Sequence, residues 1–287
     1  MSPRLWRFAL IAGVLMMAAS PIVRADTAIE WDGAQKNYTI DGVTIAITDE
    51  RNADNESPRV QLTAPNGATV AVYGVERTDG MPVTLRVTRL DPAHSKVDVM
   101  FGVYNGGAHC CTVIKIMSLI DDAWQVTDLG QWDGDEMPAP RDLGDGKPPA
   151  LIFPDNAFFY AFTSYASSGA ALKVYRIEDG KAIDVSTDPA LKPLHEENML
   201  QNRKSCVEDH NNGACAPYVA SAARIGQFAE AWKVMLQNYD RESDWQLNFC
   251  DVAGANGDCA KSASFKTFPQ ALDWFLHQHG YLPASTP

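Results

Sequence analysis

Apolar and polar residues alternate along much of the chain between residues 37 and 186, which is the pattern of strands that bury one face. The alternation is clearest at Val97, Val99, Phe101 and Val103, and it predicts a buried face here with Asp98 pointing the other way. The remaining apolar runs predict further short strands over residues 38–47, 59–75, 83–90, 112–120, 124–129 and 172–185. Many short strands separated by turns predict a mainly antiparallel β region.

Three glycine-containing dipeptides divide this region into hairpins. They are Asp41-Gly42, Asn66-Gly67 and Asp179-Gly180, each between apolar-alternating arms. Asn-Gly and Asp-Gly accept the positive φ angles that tight type I′ turns require, so each dipeptide predicts a hairpin turn.

The pattern changes to a helical period near residue 188. An apolar stripe at spacings of three and four residues predicts a helix through Phe228, Ala231, Trp232, Met235, Leu236 and Tyr239. Pro217 is placed at the first position of a preceding helix, and Gly226 at the end of that helix. A last helix is predicted over residues 269–278. The predicted fold class is therefore α+β, with an antiparallel sandwich or partial propeller-like β-repeat domain at 26–187 and a small disulfide-stapled helical domain at 188–287.

The first 25 residues predict a secretory leader. Arg4 and Arg7 form a basic start, residues 8–17 are apolar, and the small residue Ala25 ends a plausible cleavage site, so the mature chain would begin at Asp26. The formal charge of the whole chain is −12, and it would become −15 because the leader carries three arginines and no acid. This charge argues against nucleic acid and against an anionic lipid surface as partners, and it suits a basic protein partner in the periplasm or outside the cell. After the leader, the sequence has no uninterrupted apolar stretch of about 18 residues, which argues against a membrane-embedded protein.

All six cysteines follow the predicted leader: Cys110, Cys111, Cys206, Cys215, Cys250 and Cys259. In an oxidising compartment an even number of cysteines predicts disulfides. Pairing of 206 with 215 and of 250 with 259 closes the shortest loops, and each such bridge would contribute roughly 2 to 3 kcal/mol. The two adjacent cysteines would then pair with each other or remain unpaired.

The segment from Gly106 through His109, Cys110 and Cys111 is the main candidate site. One interpretation is an oxidised structural pair, joined within itself or to cysteines of the helical region. A second is a reactive thiol, which needs a nearby cation or helix N-terminus to lower its pKa. A third is a soft-metal site that uses His109 with a thiolate, although no Cys-x-x-Cys pair supplies further ligands.

Two acidic turns, at Asp91 and from Arg141 to Leu151, each precede a strand-like run, and an aromatic segment with Phe158, Phe159, Tyr160, Phe162 and Tyr165 follows. With the Gly-Gly-Ala-His-Cys-Cys segment, these features resemble a group of uncharacterised exported bacterial proteins with degenerate FG-GAP or VCBS-type turns. That resemblance implies a β-repeat fold, a calcium site and no enzymatic activity. Five acids would supply oxygen ligands for Ca²⁺ if their loop folds back on itself: Asp133, Asp135, Glu136, Asp142 and Asp145. The alternative is a solvated acidic loop. The aromatic segment would form either a buried strand or a ligand-binding wall.

Established catalytic motifs are absent from the sequence. It contains no Gly-x-Ser-x-Gly elbow, no phosphate-binding loop, no dinucleotide fingerprint and no His-Glu-x-x-His. The first hypothesis is therefore a non-enzymatic exported binding or interaction protein, in one version an inhibitor or immunity protein for a cationic envelope enzyme. The second is a metal-dependent or thiol-dependent enzyme centred on His109, Cys110 and Cys111.

Overall fold

The computed structural model describes residues 26–283 except residues 32, 35, 53–54, 79 and 255–257. The predicted leader lies outside the described residues, so its fate stays a prediction. The strands are β1 (Thr27–Trp31), β2 (Lys36–Ile40), β3 (Val43–Asn52), β4 (Asn55–Thr63), β5 (Thr69–Tyr73), β6 (Val83–Thr88), β7 (Ser95–Tyr104), β8 (Cys110–Ile120), β9 (Ala123–Asp133), β10 (Leu151–Pro154), β11 (Leu172–Glu178), β12 (Lys181–Asp184), β13 (Asn248–Ala253) and β14 (Cys259–Ser264).

The strands form four antiparallel sheets within the described part of the chain. A five-stranded sheet has the order β1-β6-β7-β8-β9, and a four-stranded meander has the order β2-β3-β4-β5. A three-stranded sheet β10-β11-β12 and the hairpin β13-β14 complete the set. The predicted class, mainly antiparallel β followed by a small helical region, is confirmed.

The five-stranded sheet is covered on both faces. Val99 and Phe101 pack in one core with strands of the four-stranded meander, whereas Met100 packs in a second core with Leu151 and Phe153 of β10. The strand alternates as predicted, but the face that carries Asp98 is buried as well, because the three-stranded sheet covers it. The apolar alternation in the sequence does not predict this second layer, because the polar residue Asp98 makes the second face look exposed to solvent.

Turn chemistry accounts for two of the three predicted hairpins. Asp41 and Gly42 have φ angles of 50° and 77°, and Asp179 and Gly180 have 50° and 67°, so both turns use the left-handed region at two successive residues. Asn66-Gly67 differs, because only Gly67 has a positive φ and the loop is wider, closed by the Ala64 N–H donating to the Ala68 carbonyl. The hairpin is therefore present with a different turn.

Four α-helices lie in the described C-terminal region: α1 (Lys192–Glu208), α2 (Asn212–Arg224), α3 (Phe228–Asn238) and α4 (Phe268–Gln278). The prediction that a helix starts at Pro217 is wrong, since α2 begins five residues earlier. The side chain of Asn211 accepts a hydrogen bond from the Gly213 N–H and so caps that earlier start. None of these helices is both long and apolar enough to cross a bilayer.

The helical region is anchored to the β region at the aromatic segment. Phe158 and Phe162 are buried in the helical core against Phe275 of α4. Behind α4, the Tyr281 hydroxyl donates to Asp155 at 2.8 Å, and Asp155 follows β10 directly. Side chains from both sides of the domain boundary predicted near residue 188 therefore pack together, and the boundary itself stays a prediction.

A buried histidine gives a pH dependence to this packing. His195 of α1 donates from Nε2 to the Ser186 carbonyl at 2.8 Å, while its buried Nδ1 has no partner. Burial lowers the pKa of His195 from 6.5, which the Ser186 hydrogen bond only partly opposes. The unfolded chain therefore binds the proton more readily than the folded protein. Stability should fall as the pH drops below about 6.5 toward the lowered folded pKa.

The measurement is the urea midpoint of unfolding at a series of pH values, for the wild type and for His195→Gln. His210→Gln is the matched control, because His210 is an exposed histidine of the same region. A wild-type slope between neutral and mildly acidic pH that persists unchanged in His195→Gln would contradict this assignment.

Candidate functional site

The loop between β7 and β8 is held in shape by Asn105. Its side-chain oxygen accepts hydrogen bonds from the N–H groups of Gly107 at 3.0 Å and Cys111 at 2.8 Å. Gly106 has a φ of 87°, and a Cβ at Gly107 would lie 1.9 Å from the Cys110 carbonyl oxygen. The two glycines are therefore needed for a tight reversal that presents the next residues at the surface.

The structure joins Cys110 to Cys111 through their sulfur atoms. Both cysteines belong to β8, but Cys110 is exposed and Cys111 is buried, so one residue of the pair faces solvent and the other packs inside the protein. This pairing is the arrangement that the structural interpretation requires, and that interpretation stays a prediction. The pairing occupies both thiols that a thiol-dependent enzyme would need, so that activity stays a hypothesis that requires the bond to open.

The histidine of this loop stacks on a tyrosine that is distant in sequence. The ring of His109 lies 3.9 Å from that of Tyr165, with 15° between their planes. The Tyr165 hydroxyl donates to Asp133 at 2.5 Å, and this hydrogen bond together with burial raises the pKa of Tyr165 to about 12. Tyr165 therefore stays protonated and serves as a fixed support for the imidazole.

Asp133 is fixed in turn by its neighbours. It pairs with Cys110 in the β8–β9 register, and its N–H donates to the side-chain oxygen of Asn156 at 3.0 Å. The Asn156 amide also donates to the Gln131 carbonyl. The loop, the edge strand β9 and the segment after β10 are thus connected by one hydrogen-bonded network.

Tyr160 completes the exposed rings. It is a non-glycine residue with a φ of 60°, its N–H donates to Ser168 Oγ at 3.3 Å, and 51% of its surface is accessible. Its ring lies 5.7 Å from Tyr165 and 6.2 Å from His109. Strained backbone conformations are concentrated at functional sites, so this conformation makes Tyr160 a candidate functional residue. We call His109, Tyr160 and Tyr165 the ring platform.

A pocket lies beside the ring platform. It has a volume of about 390 Å³ and is lined by Tyr160, Asp244, Trp245 and Gln246. The last three residues belong to the loop between α3 and β13, so the C-terminal region contributes one wall. The arrangement offers flat aromatic faces with a carboxylate at the edge.

The aromatic segment does not form the predicted strand. Residues Asn156–Phe158 and Tyr165–Ser167 form short 3-10 helices, and the Asp155 side chain accepts from the Ala157 N–H to start the first. The segment then divides its rings between two surroundings. Phe158 and Phe162 enter the helical core, whereas Phe159, Tyr160 and Tyr165 lie around His109. The predicted strand is therefore wrong, and the ligand-binding wall stays a hypothesis.

The five acids predicted for calcium are not brought together. Asp133 binds the Tyr165 hydroxyl, and Asp145 forms an ion pair with Arg176 at 2.6 Å. Asp142 accepts from the Gly144 N–H, whereas Asp135 and Glu136 are exposed. Within the described ranges, no group of three or more His, Cys, Asp or Glu side chains is placed to share a metal ion. Calcium binding stays a hypothesis from the sequence.

Protein cations occupy the turn instead. Arg176 of β11 is only 1% exposed and reaches Asp145, and Lys147 pairs with Asp188. The hydrogen bond from Arg176 lowers the pKa of Asp145, and the one from Lys147 lowers the pKa of Asp188. A guanidinium group thus supplies the positive charge that the resemblance assigned to a metal.

The turn at Asp91 is also internal. Buried Asp98 accepts from the Leu90 N–H at 2.6 Å and from Ser95 Oγ at 2.6 Å. Buried Asp91 accepts from the Asp179 N–H at 2.7 Å and contacts His94. Asp98 therefore closes the turn on itself, and Asp91 connects the turn to the β11–β12 hairpin; neither carboxylate is presented to solvent.

Comparison with known proteins places the chain among relatives with little assigned function. A family model described as the sll0997 C-terminal domain matches residues 193–280. The probable thylakoid lumen protein sll0997 of Synechocystis sp. is 34% identical over 251 residues, which is 84% of this chain and 73% of the relative. The uncharacterized protein y4bJ of Sinorhizobium fredii is 31% identical over 209 residues, which is 71% of this chain but only 33% of that protein.

No solved structure matches the chain. The match to the first relative covers most of both proteins at more than 30% identity, and the family model covers α1 to α4. The chain therefore belongs to the family of the probable thylakoid lumen protein sll0997.

Proposed function

We propose that the protein is an exported, non-enzymatic binding protein whose ring platform receives a basic side chain of a protein partner. Export is supported by the predicted leader and by the name of the relative, which assigns that protein to the thylakoid lumen. One version of the partner is a cationic envelope enzyme, for which this protein would be an inhibitor or immunity protein.

The observation that carries the proposal is the exposed pair of rings at His109 and Tyr160. The Tyr160 N–H donates to Ser168 Oγ, which fixes the backbone that carries this ring, and the His109 ring is stacked on Tyr165, so the His109 ring is already ordered when a ligand arrives. A Lys or Arg side chain over an aromatic face gains about 0.5 to 2 kcal/mol, more where water is excluded.

Carboxylates lie in the pocket beside Tyr160 and on the segment that follows β9. Asp244 lines the adjacent pocket, and Asp135 and Glu136 are exposed two and three residues beyond Asp133, which pairs with Cys110. Acids next to aromatic rings favour a cationic group over a neutral one. The formal charge of −12 would also steer a basic partner toward the protein and speed its association at low salt.

Calcium at the acidic loop is not needed for this proposal. Two of the five candidate acids are engaged by Arg176 and the Tyr165 hydroxyl, which leaves the exposed acids available to a basic partner. The thiol-dependent or metal-dependent enzyme requires an open Cys110–Cys111 pair. Mass spectrometry of the unreduced protein would favour that alternative if it found free thiols there.

The test is the affinity of the purified protein for fluorescently labelled octalysine, measured by anisotropy. We expect Tyr160→Ala to weaken binding roughly threefold to tenfold, the loss of one cation–π contact. Tyr73→Ala is the matched control, because Tyr73 on β5 is 50% exposed against 51% for Tyr160. Binding should also fall sharply at about 0.5 M salt, where surface charges are screened.

Equal losses in Tyr160→Ala and Tyr73→Ala would show that octalysine responds to the acidic surface as a whole and would overturn the platform as the site. Absence of octalysine binding at low salt would contradict the proposal that the partner is basic. Thermal midpoints of both variants should match the wild type, because both side chains are half exposed.

A further inference from the structure

A cleft of about 290 Å³ lies within the segment matched by the family model. Its walls are the end of α3, the loop of residues 240–247, the start of β13 and the link between β14 and α4. Trp245 and Gln246 line both this cleft and the pocket beside Tyr160. The two sites are neighbours with different surroundings.

The loop that forms one wall is fixed by a buried side chain. Asn212, the first residue of α2, accepts from the Asp240 N–H at 3.0 Å and donates to the Asp240 carbonyl at 3.1 Å. The Asp240 carboxylate accepts from the Glu242 N–H at 2.9 Å. The cleft is therefore formed before any ligand binds, as ligand sites usually are.

Two cations line the cleft. Arg241 lies over the Tyr239 ring at 4.9 Å and donates to the Leu236 carbonyl at 2.7 Å, so its guanidinium is held in position with donors to spare. Lys266 lines the opposite segment, before α4. Neither forms an ion pair within the described residues, in a chain whose acids outnumber its bases 36 to 24.

The other lining groups, which include the carboxylate of Asp240, suit a ring that carries hydroxyl groups. Trp245 and Phe265 offer aromatic surface, and Gln246, Asn248 and Thr267 offer hydrogen-bonding side chains. We propose that this cleft binds an anionic monosaccharide, with its carboxylate or phosphate at Arg241 and Lys266 and its ring against the aromatic wall. The cleft is at the small end of the usual range for ligand sites, which fits one sugar unit.

The test uses the full mature chain and isothermal titration with glucuronate, glucose 6-phosphate, glucose, acetate and inorganic phosphate. We expect at least one charged sugar to bind roughly tenfold or more tightly than glucose, since a charge-assisted hydrogen bond is worth at least that factor. The two charged sugars separate the carboxylate from the phosphate source. Acetate and inorganic phosphate should bind more weakly than the corresponding sugar, because they lack the ring.

Substitutions at the two cations test whether the sugar binds in this cleft. Arg241→Gln and Lys266→Gln should each weaken the charged sugar about tenfold, whereas Lys233→Gln, which removes an exposed cation of α3 outside the cleft, should change nothing. Tyr73→Ala, which removes a half-exposed tyrosine of β5 outside the cleft, should also leave sugar binding unchanged. Equal binding of glucose and both charged sugars, no binding by any sugar, or unchanged affinity in both cleft variants would each overturn the proposal.

Discussion

Replacing Asp145 with alanine is expected to lower the thermal midpoint by roughly 10 °C, the effect of leaving a buried cation without its counter-charge in a protein of this size. Arg176 is 1% exposed, and its Nε and Nη1 atoms already have no hydrogen-bond partner. Among the residues that the structure describes, Asp145 is the carboxylate that forms an ion pair with it, at 2.6 Å. Without Asp145, the guanidinium loses its charge partner and remains away from water.

The reverse substitution should cost much less. Arg176→Met removes the desolvated charge with its unpartnered donors and retains most of the side-chain volume. The Asp145 carboxylate that remains is near the surface, with 13% of its side chain exposed, and water can reach it. We therefore expect Arg176→Met to lower the midpoint by no more than a few degrees.

Differential scanning calorimetry of both variants measures this asymmetry. Asp142→Ala is the control, because Asp142 is an exposed acid of the same turn whose hydrogen bond is to the Gly144 N–H. If Asp145→Ala and Arg176→Met destabilised the protein equally, the argument from burial would be wrong. A rise in the wild-type midpoint on addition of Ca²⁺ would support the calcium hypothesis in place of the internal cation.

The hairpins were predictable because their signals are local. A dipeptide such as Asp41-Gly42 or Asp179-Gly180 specifies its own φ angles, and alternation on either side of it specifies the strands. The last helix was placed within one residue of its observed start for the same reason, since Pro269 and an apolar stripe mark it. Structural features that depend on a few adjacent residues can therefore be predicted from the sequence.

Helix α1 was missed because its packing leaves little trace in the sequence. Of its 17 residues, only His195, Met199 and Cys206 are buried, so no apolar stripe exists to be read. The hairpin of β13 and β14 was missed for a similar reason, since most of its residues are exposed and its pairing is irregular. A segment that buries few side chains shows only a weak periodicity of apolar residues in its sequence.

The candidate site was half predictable. Adjacent cysteines after two glycines are conspicuous, and they identified the loop at His109. The residues that support this loop could not be predicted in the same way. Tyr165 and Asp133 are separated by 32 residues in sequence, and they come into contact only when β8, β9 and the 3-10 segment have folded together. The same holds for Asp145, whose partner Arg176 is 31 residues away. Acids that are close in sequence suggest a shared metal ion, whereas the pairing of Asp145 with a distant cation is visible only in the folded chain.

The two C-terminal disulfides offer a matched comparison, because both close a loop with a sequence separation of 9. The loop-entropy argument therefore assigns each about 2.5 to 3 kcal/mol. Their surroundings differ. Cys206 and Cys215 are fully buried and connect α1 to α2, whereas Cys250 and Cys259 are exposed on the hairpin of β13 and β14.

Replacing both members of the buried pair with alanine should cost about 4 to 5 kcal/mol, because each lost sulfur atom adds a cavity of about 1 kcal/mol to the loop term. Replacing both members of the exposed pair should cost only the loop term. Urea unfolding of the two double variants, with intact masses of the unreduced proteins to verify the remaining bonds, measures the difference. Equal losses would mean that packing around Cys206 and Cys215 relaxes after truncation. A larger loss for the exposed pair would contradict the prediction and would show that the β13–β14 hairpin depends on its disulfide.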